Sequence, residues 1–196
     1  NTTYAGVISG TGNFIKTGRG HLTLTGNNTY TGTTLVSAGV LKISGSGNIS
    51  NNSAVTVASG ANLILSKSVT VGSIAGAGKI ELNGNNTTTL TAGDDDTNTT
   101  FSGVLSGGGV FVKNGSGTLT LSGTNTHHGK LSINEGGITL GASNVISNYS
   151  WVSLANTSGV NLNLNNNSDT IGTLVGGGTT GGNIILGSGN LTINQI

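Results

Sequence analysis

The 196-residue chain contains 36 Gly, no Pro, Cys or Met, and 7% charged residues, with 7 Lys and Arg against 6 Asp and Glu. The missing cysteines exclude disulfides, thiol catalysis and thiolate metal sites, and the scattered, nearly balanced charges exclude an electrostatic footprint for nucleic acid or an anionic membrane. Gly, Ser, Thr and Asn would suit a disordered chain, but here apolar residues recur in a pattern that disorder does not keep.

Taken in chain order, the first stretch, Gly6 to Gly20, is punctuated by Gly, with Val7, Ile8, Phe14 and Ile15 as its apolar residues. It predicts short strands and tight turns. Leu22-Thr23-Leu24-Thr25 then alternates, as a half-buried strand requires. The same pattern returns at Leu41-Lys42-Ile43-Ser44, Ala54-Val55-Thr56-Val57, Leu63-Ile64-Leu65, Val69-Thr70-Val71 and Ile80-Glu81-Leu82. Clusters of Gly, Asn and Ser lie between these runs, and such residues tolerate positive φ or bond their own backbone in turns. No window carries apolar residues at helical spacing over ten or more positions, so almost no helix is expected. There is no basic stretch followed by an apolar one at the start and no initiating Met, so the chain reads as an interior or mature piece of a longer product.

From Asn98 the chain repeats itself. Residues 98–142 match residues 1–45 at 20 of 45 positions with no gap, at a constant offset of 97. Shared positions include Gly18/Gly115, Leu22/Leu119, Leu24/Leu121, Gly26/Gly123 and Gly39/Gly136. Further on, Val152 and Leu154 answer Val55 and Val57, Leu162 and Leu164 answer Leu63 and Leu65, and an insertion around Thr179 to Gly182 reads as a loop. The expected organisation is two tandem units, 1–97 and 98–196, in one continuous rod. A four-residue strand with one apolar face cannot bury that face alone, whereas coils stacked on one another line up their apolar faces into a narrow core. A sandwich of antiparallel hairpins would also show short strands, but it predicts no long-period repeat. The expected fold is therefore all-β, a parallel β-helix or β-solenoid. At about 20 to 24 residues per coil, each unit would make about four to five coils, and the rod would be about 40 to 50 Å long.

The strings Phe101 to Gly107, Lys113 to Gly123 and Asn28-Thr29-Tyr30-Thr31-Gly32 resemble the passenger-associated transport repeat of autotransporter passenger domains. The resemblance rests on a lysine, two glycines, the threonine-leucine alternation and an Asn-Thr-Tyr-Thr-Gly corner in fixed order. It implies a right-handed parallel β-helix, exported from a Gram-negative bacterium through a C-terminal β-barrel translocator elsewhere in the full-length protein. It also implies an extracellular or cell-surface location, attached to the outer membrane or released. The second unit departs from the pattern at His127-His128, where Tyr30-Thr31 stand in the first.

Few residues suggest chemistry. Asp94-Asp95-Asp96 could offer oxygen ligands to a hard cation such as calcium, but neither known calcium-loop spacing is present and the second unit has no counterpart. A solvated connecting loop is expected there, with these three as the candidates should a metal bind. His127-His128 with Glu135 suggests zinc, yet adjacent residues on an extended segment point to opposite faces, so an exposed corner is expected. The remaining acids, Glu81 and Asp169, form no evident pair for a hydrolase. Trp151 takes the place of Ala54, one residue before inward Val152, and should project outward with Tyr149 nearby. Such aromatics can stack on a sugar or another chain.

The sequence thus points to a non-catalytic surface stalk or fibre acting in adhesion, self-association or biofilm, with no cofactor. Expected partners are other copies or neighbouring repeats end to end, since neither end shows a polar capping segment, and surface glycans or host matrix through Trp151 and Tyr149. The alternative is a carbohydrate-active β-helix enzyme of the polysaccharide lyase or hydrolase kind.

Overall fold

The computed structural model describes residues 1–84 and 86–195. Among these there is no helix, and every strand pairing is parallel, each strand hydrogen-bonding to its counterpart in the coil above or below. Facing hairpins are thereby excluded, and the chain is a β-solenoid. Its second face is the longest, nine strands running from Phe14–Lys16 to Asn183–Ile185. The first face stacks six strands, from Thr2–Tyr4 to Val104–Gly107, and the third stacks six, from Val69–Val71 to Thr173–Gly176.

Register places like on like. Leu22, Leu41, Leu63, Ile80 and Leu105 form one inward ladder, and Leu90, Phe111, Leu131, Val152 and Leu174 form another. Leu119 and Leu121 are each 2% exposed, as the alternation requires. Each fully buried aliphatic side chain of such a ladder contributes roughly 1.5 to 3 kcal/mol. The segment around Thr179 to Gly182 is a loop.

Each face carries strands over only part of its length, and an irregular extended segment continues the column elsewhere. Thr29 N–H donates to Ile8 O, and Thr31 N–H to Gly10 O, on the third face below its first strand. On the first face, Thr126 N–H donates to Leu105 O and Asn144 N–H to Ser168 O, leading to the paired strands Asp169–Ile171 and Leu191–Ile193. The corners are tight. A Cβ on Gly26 would run into the carbonyl of Gly6, and one on Gly123 into that of Gly103, so both copies keep glycine there.

The sequence repeat is not a whole number of turns. Thr2–Tyr4 opens the first face, whereas its counterpart Thr99–Phe101 is the fifth strand of the second face. Likewise Phe14 lies on the second face and Phe111 on the third. A displacement of 97 residues therefore corresponds to roughly four and two-thirds turns, and equivalent side chains look out from neighbouring faces.

Candidate functional site

Two buried lysines fasten the corners that precede the strands His21–Leu24 and Thr118–Leu121. Lys16 Nζ donates to the carbonyls of Thr17 (2.8 Å), Gly18 (2.8 Å) and Ala38 (3.1 Å). Lys113 Nζ does the same to Asn114 (2.6 Å), Gly115 (2.8 Å) and Glu135 (3.4 Å). Gly18 and Gly115 supply the positive φ, 72° and 69°, that turns their carbonyls toward the ammonium. Each lysine thus satisfies three carbonyls and ties one coil to the next. Burial pushes the Lys113 ammonium down from its ordinary pKa, opposed by Asp96, Glu135, Asp94 and Asp95.

Buried asparagines bridge the irregular columns. Asn28 accepts from Ile8 N–H (2.9 Å) and donates to Asn48 O (2.8 Å); Asn125 accepts from Leu105 N–H (2.7 Å) and donates to Val145 O (3.0 Å). Sequence reading missed both the lysine and the asparagine roles. The signal was available, because Lys16/Lys113 and Asn28/Asn125 are polar residues identical in both copies.

His127 corrects an expectation. It is buried at 3% exposure, with Nε2 bonded to Gly109 O (2.6 Å), whereas its neighbour His128 is exposed. The two do point to opposite faces, but only one lies at the surface. Burial pushes the His127 imidazole below its ordinary pKa, the bond to Gly109 opposing and His128 adding to the depression. Ser150 Oγ donates to His127 O, locking the same corner from the next coil. Two coils above the asparagine bridge, Asp169 is buried with its carboxylate accepting from Val145 N–H (2.8 Å), Ile146 N–H (3.1 Å) and Thr170 N–H (2.8 Å). Burial pushes its pKa up against these three amides.

Outside this corner a groove of about 690 Å³ opens between residues 124–128 and 144–149, lined by Thr124, Thr126, His128, Asn144, Asn148 and Tyr149, with Asn125, Ile146 and Ser147 beneath. Tyr149 is 67% exposed at its rim. Trp151, 51% exposed, projects outward from the third face, in register between Lys130 and Thr173.

Most of the acids are engaged, some within their own coil and some by a neighbouring one. Asp95 Oδ1 accepts from Thr97 N–H and Oγ, and Asp96 Oδ1 accepts from Ser116 N–H (2.7 Å) and Oγ (2.9 Å) in the next coil. Ser116 holds Asp96 below the usual carboxylate range; for Asp95, burial pulls upward, and hydrogen bonds from Ser73 and Thr97 outweigh it to leave the pKa lowered. Glu81 pairs with Lys79 (2.8 Å), and Glu135 accepts from Gly115 N–H (3.2 Å). Among the described residues no group of three or more His, Asp or Glu side chains is arranged to hold a metal ion.

The family model described as passenger-associated-transport-repeat matches residues 14–43 and again 111–140. Both matches begin at the phenylalanine before a buried lysine. An adhesin, the BmaC autotransporter of Brucella suis biovar 1 (strain 1330), is 35% identical over 199 residues, covering 98% of this chain and 6% of that protein. No solved structure matches the chain.

Proposed function

From a chain that carries two passenger-associated transport repeats of the autotransporter kind, we propose a non-catalytic length of adhesive stalk, displayed at or released from the surface of a Gram-negative cell. The observation that carries this reading is the repetition of one fastened corner, lysine, glycine and asparagine alike, along an uninterrupted stack. That construction builds length and stiffness, and it leaves outward side chains free to vary. Five acids, Glu81, Asp95, Asp96, Glu135 and Asp169, are engaged by nearby amides, hydroxyls or a lysine, and exposed Asp94 has among the described residues no second free acid to pair with. This supports a non-catalytic role, since a hydrolase of this kind works with paired carboxylates or an acid beside a base. Asp94 to Asp96 serve in this reading as a turn that caps the following coil.

A C-terminal β-barrel translocator elsewhere in the full-length protein would carry the stalk across the outer membrane. Lateral contact with surface glycans or host matrix falls to Tyr149 and Trp151. At the two ends, Tyr4, Val7 and Ile15 and, opposite, Ile185, Leu186 and Ile193 expose apolar surface that further coils would cover, whether from neighbouring repeats or another copy in a fibre or biofilm. The test is display of residues 1–196 on a non-adherent Gram-negative host through an unrelated barrel anchor. Adherence to epithelial cells or coated matrix above that of the anchor alone is expected, and equal adherence overturns the reading.

A further inference from the structure

The aromatic corner of the second repeat is not needed to build the corner. The first repeat makes the same turn, Ser53 N–H to Ser50 O against Ser150 N–H to Ser147 O, with Asn52 and Ala54 where Tyr149 and Trp151 stand, and it has Thr31 where His128 stands. What shapes the bend is shared: Asn28/Asn125 as the bridge, Ile49/Ile146 in the core, and Ser50/Ser147 with Asn51/Asn148 at the turn. The second copy has therefore added an outward surface to a scaffold that stands without it.

The chemistry of that surface selects one class of ligand. A groove of about 690 Å³ lies within the size of a small-molecule site, enough for a few sugar rings. None of its nine lining residues is Lys, Arg, Asp or Glu. Among the described residues, the side chains of Thr124, Thr126, Asn144 and Asn148 make no hydrogen bond with the rest of the chain, so their amides and hydroxyls can both donate and accept. Tyr149 stands at the rim, and Trp151 follows two residues on, within about 7 Å of backbone. Vicinal hydroxyls match the amides, and the C–H face of a pyranose matches an exposed ring. None of the lining residues offers an anionic polymer a Lys or Arg, Lys130 lying beside Trp151 outside the lining, while the mostly apolar floor suits the C–H faces of sugar rings and the four polar side chains suit their hydroxyls.

We infer that the groove between residues 124–128 and 144–149, flanked by Tyr149 and Trp151, binds a neutral oligosaccharide. The inference rests on the adhesive reading above and names its ligand class. The purified chain is passed over a printed array of neutral oligosaccharides ending in glucose, galactose, mannose or N-acetylglucosamine, beside sialylated and sulfated counterparts. Retention on at least one neutral class, little changed by salt, is expected. Tyr149→Asn and Trp151→Ala, the residues of the first repeat, should each weaken it about tenfold with the melting temperature unmoved. No neutral retention, retention on anionic spots alone, or retention indifferent to both substitutions overturns the inference. If the displayed chain still adheres while neutral spots stay bare, only the groove assignment falls; if the displayed chain does not adhere, the adhesive reading falls as well.

Discussion

The corner at residues 28–54 and the corner at 125–151 share their asparagine bridge and their Ser-Asn turn and differ in what fills them and in the link between, where the left-handed residue is Gly45 in one and Asn144 in the other. In the first, the Tyr30 ring packs near Phe14 with centroids 5.9 Å apart, and its hydroxyl joins a buried chain through Thr34 and Ser53 to Gly32 O. In the second, His127 takes the ring's place and bonds Gly109 O, while Leu131 replaces Thr34 and leaves no hydroxyl to meet. Beneath, Asn48 keeps a buried Oδ1 without a partner, whereas the second copy has Val145 there, with the Asp169 carboxylate on its amide. The difference teaches that the bend is set by the lysine, the glycines and the bridging asparagine. The remaining buried positions need mainly volume, since the first corner tolerates an unpaired Asn48 Oδ1 where the second has an aliphatic side chain.

That comparison is most severely tested at the lysines. Lys113→Met should keep the packing volume but orphan three carbonyls, costing about 2 to 4 kcal/mol, read from the urea midpoint. Lys16→Met should cost less, because its coil is more exposed. If both are neutral, the ammonium is not the fastening. Next, Asn125→Ala strands Leu105 N–H and leaves Val145 O with only the Asn125 backbone N–H, and should cost about 1 to 2 kcal/mol. Asn125→Asp, which loses the donor only, should recover part of it.

The pH response distinguishes the two fillings. His127 has a folded pKa below its unfolded value of about 6.5, so its contribution is intact above that pH. It is lost as pH falls, because the unfolded chain takes up a proton the folded corner resists. The slope in that window is at most about 1.4 kcal/mol per pH unit. His127→Tyr, restoring the first repeat's residue, should flatten it, and an unchanged acid limb would refute the assignment. Asp169 acts in the opposite sense. With its folded pKa raised, it is most favourable below about pH 4, and its contribution declines as pH rises through the raised value. Asp169→Asn should remove that component. The smallest effect belongs to the surface: Tyr149→Asn and Trp151→Ala should shift stability by less than about 0.5 kcal/mol.

Much of this architecture was legible in the residues. Two-residue alternation marked Leu22, Leu41, Leu63 and Ile80 as inward, and they form one ladder. The offset of 97 pointed to stacking, and the stacked coils carry the matched strings at that offset. Outward Trp151 followed from inward Val152. What escaped was every feature that depends on which coil lies above. Register steps range from 17 residues, Asn62 to Lys79, to 25, Lys79 to Val104, so neighbours across the stack cannot be counted off locally. Hence Lys113 read as one element of a motif and not as a clasp on Glu135 O, and His127 read as exposed although a coil-to-coil bond encloses it.

The fractional pitch of the repeat governs how such a rod meets its surroundings. Because the 97-residue step advances by about two-thirds of a turn beyond four, side chains at matching positions in the two copies point about 120° apart, and a further copy at the same step would turn by as much again. The two copies thus offer their variable corners to different sides of one stack, so a ligand held by the second corner leaves the matching side chains of the first free to meet another.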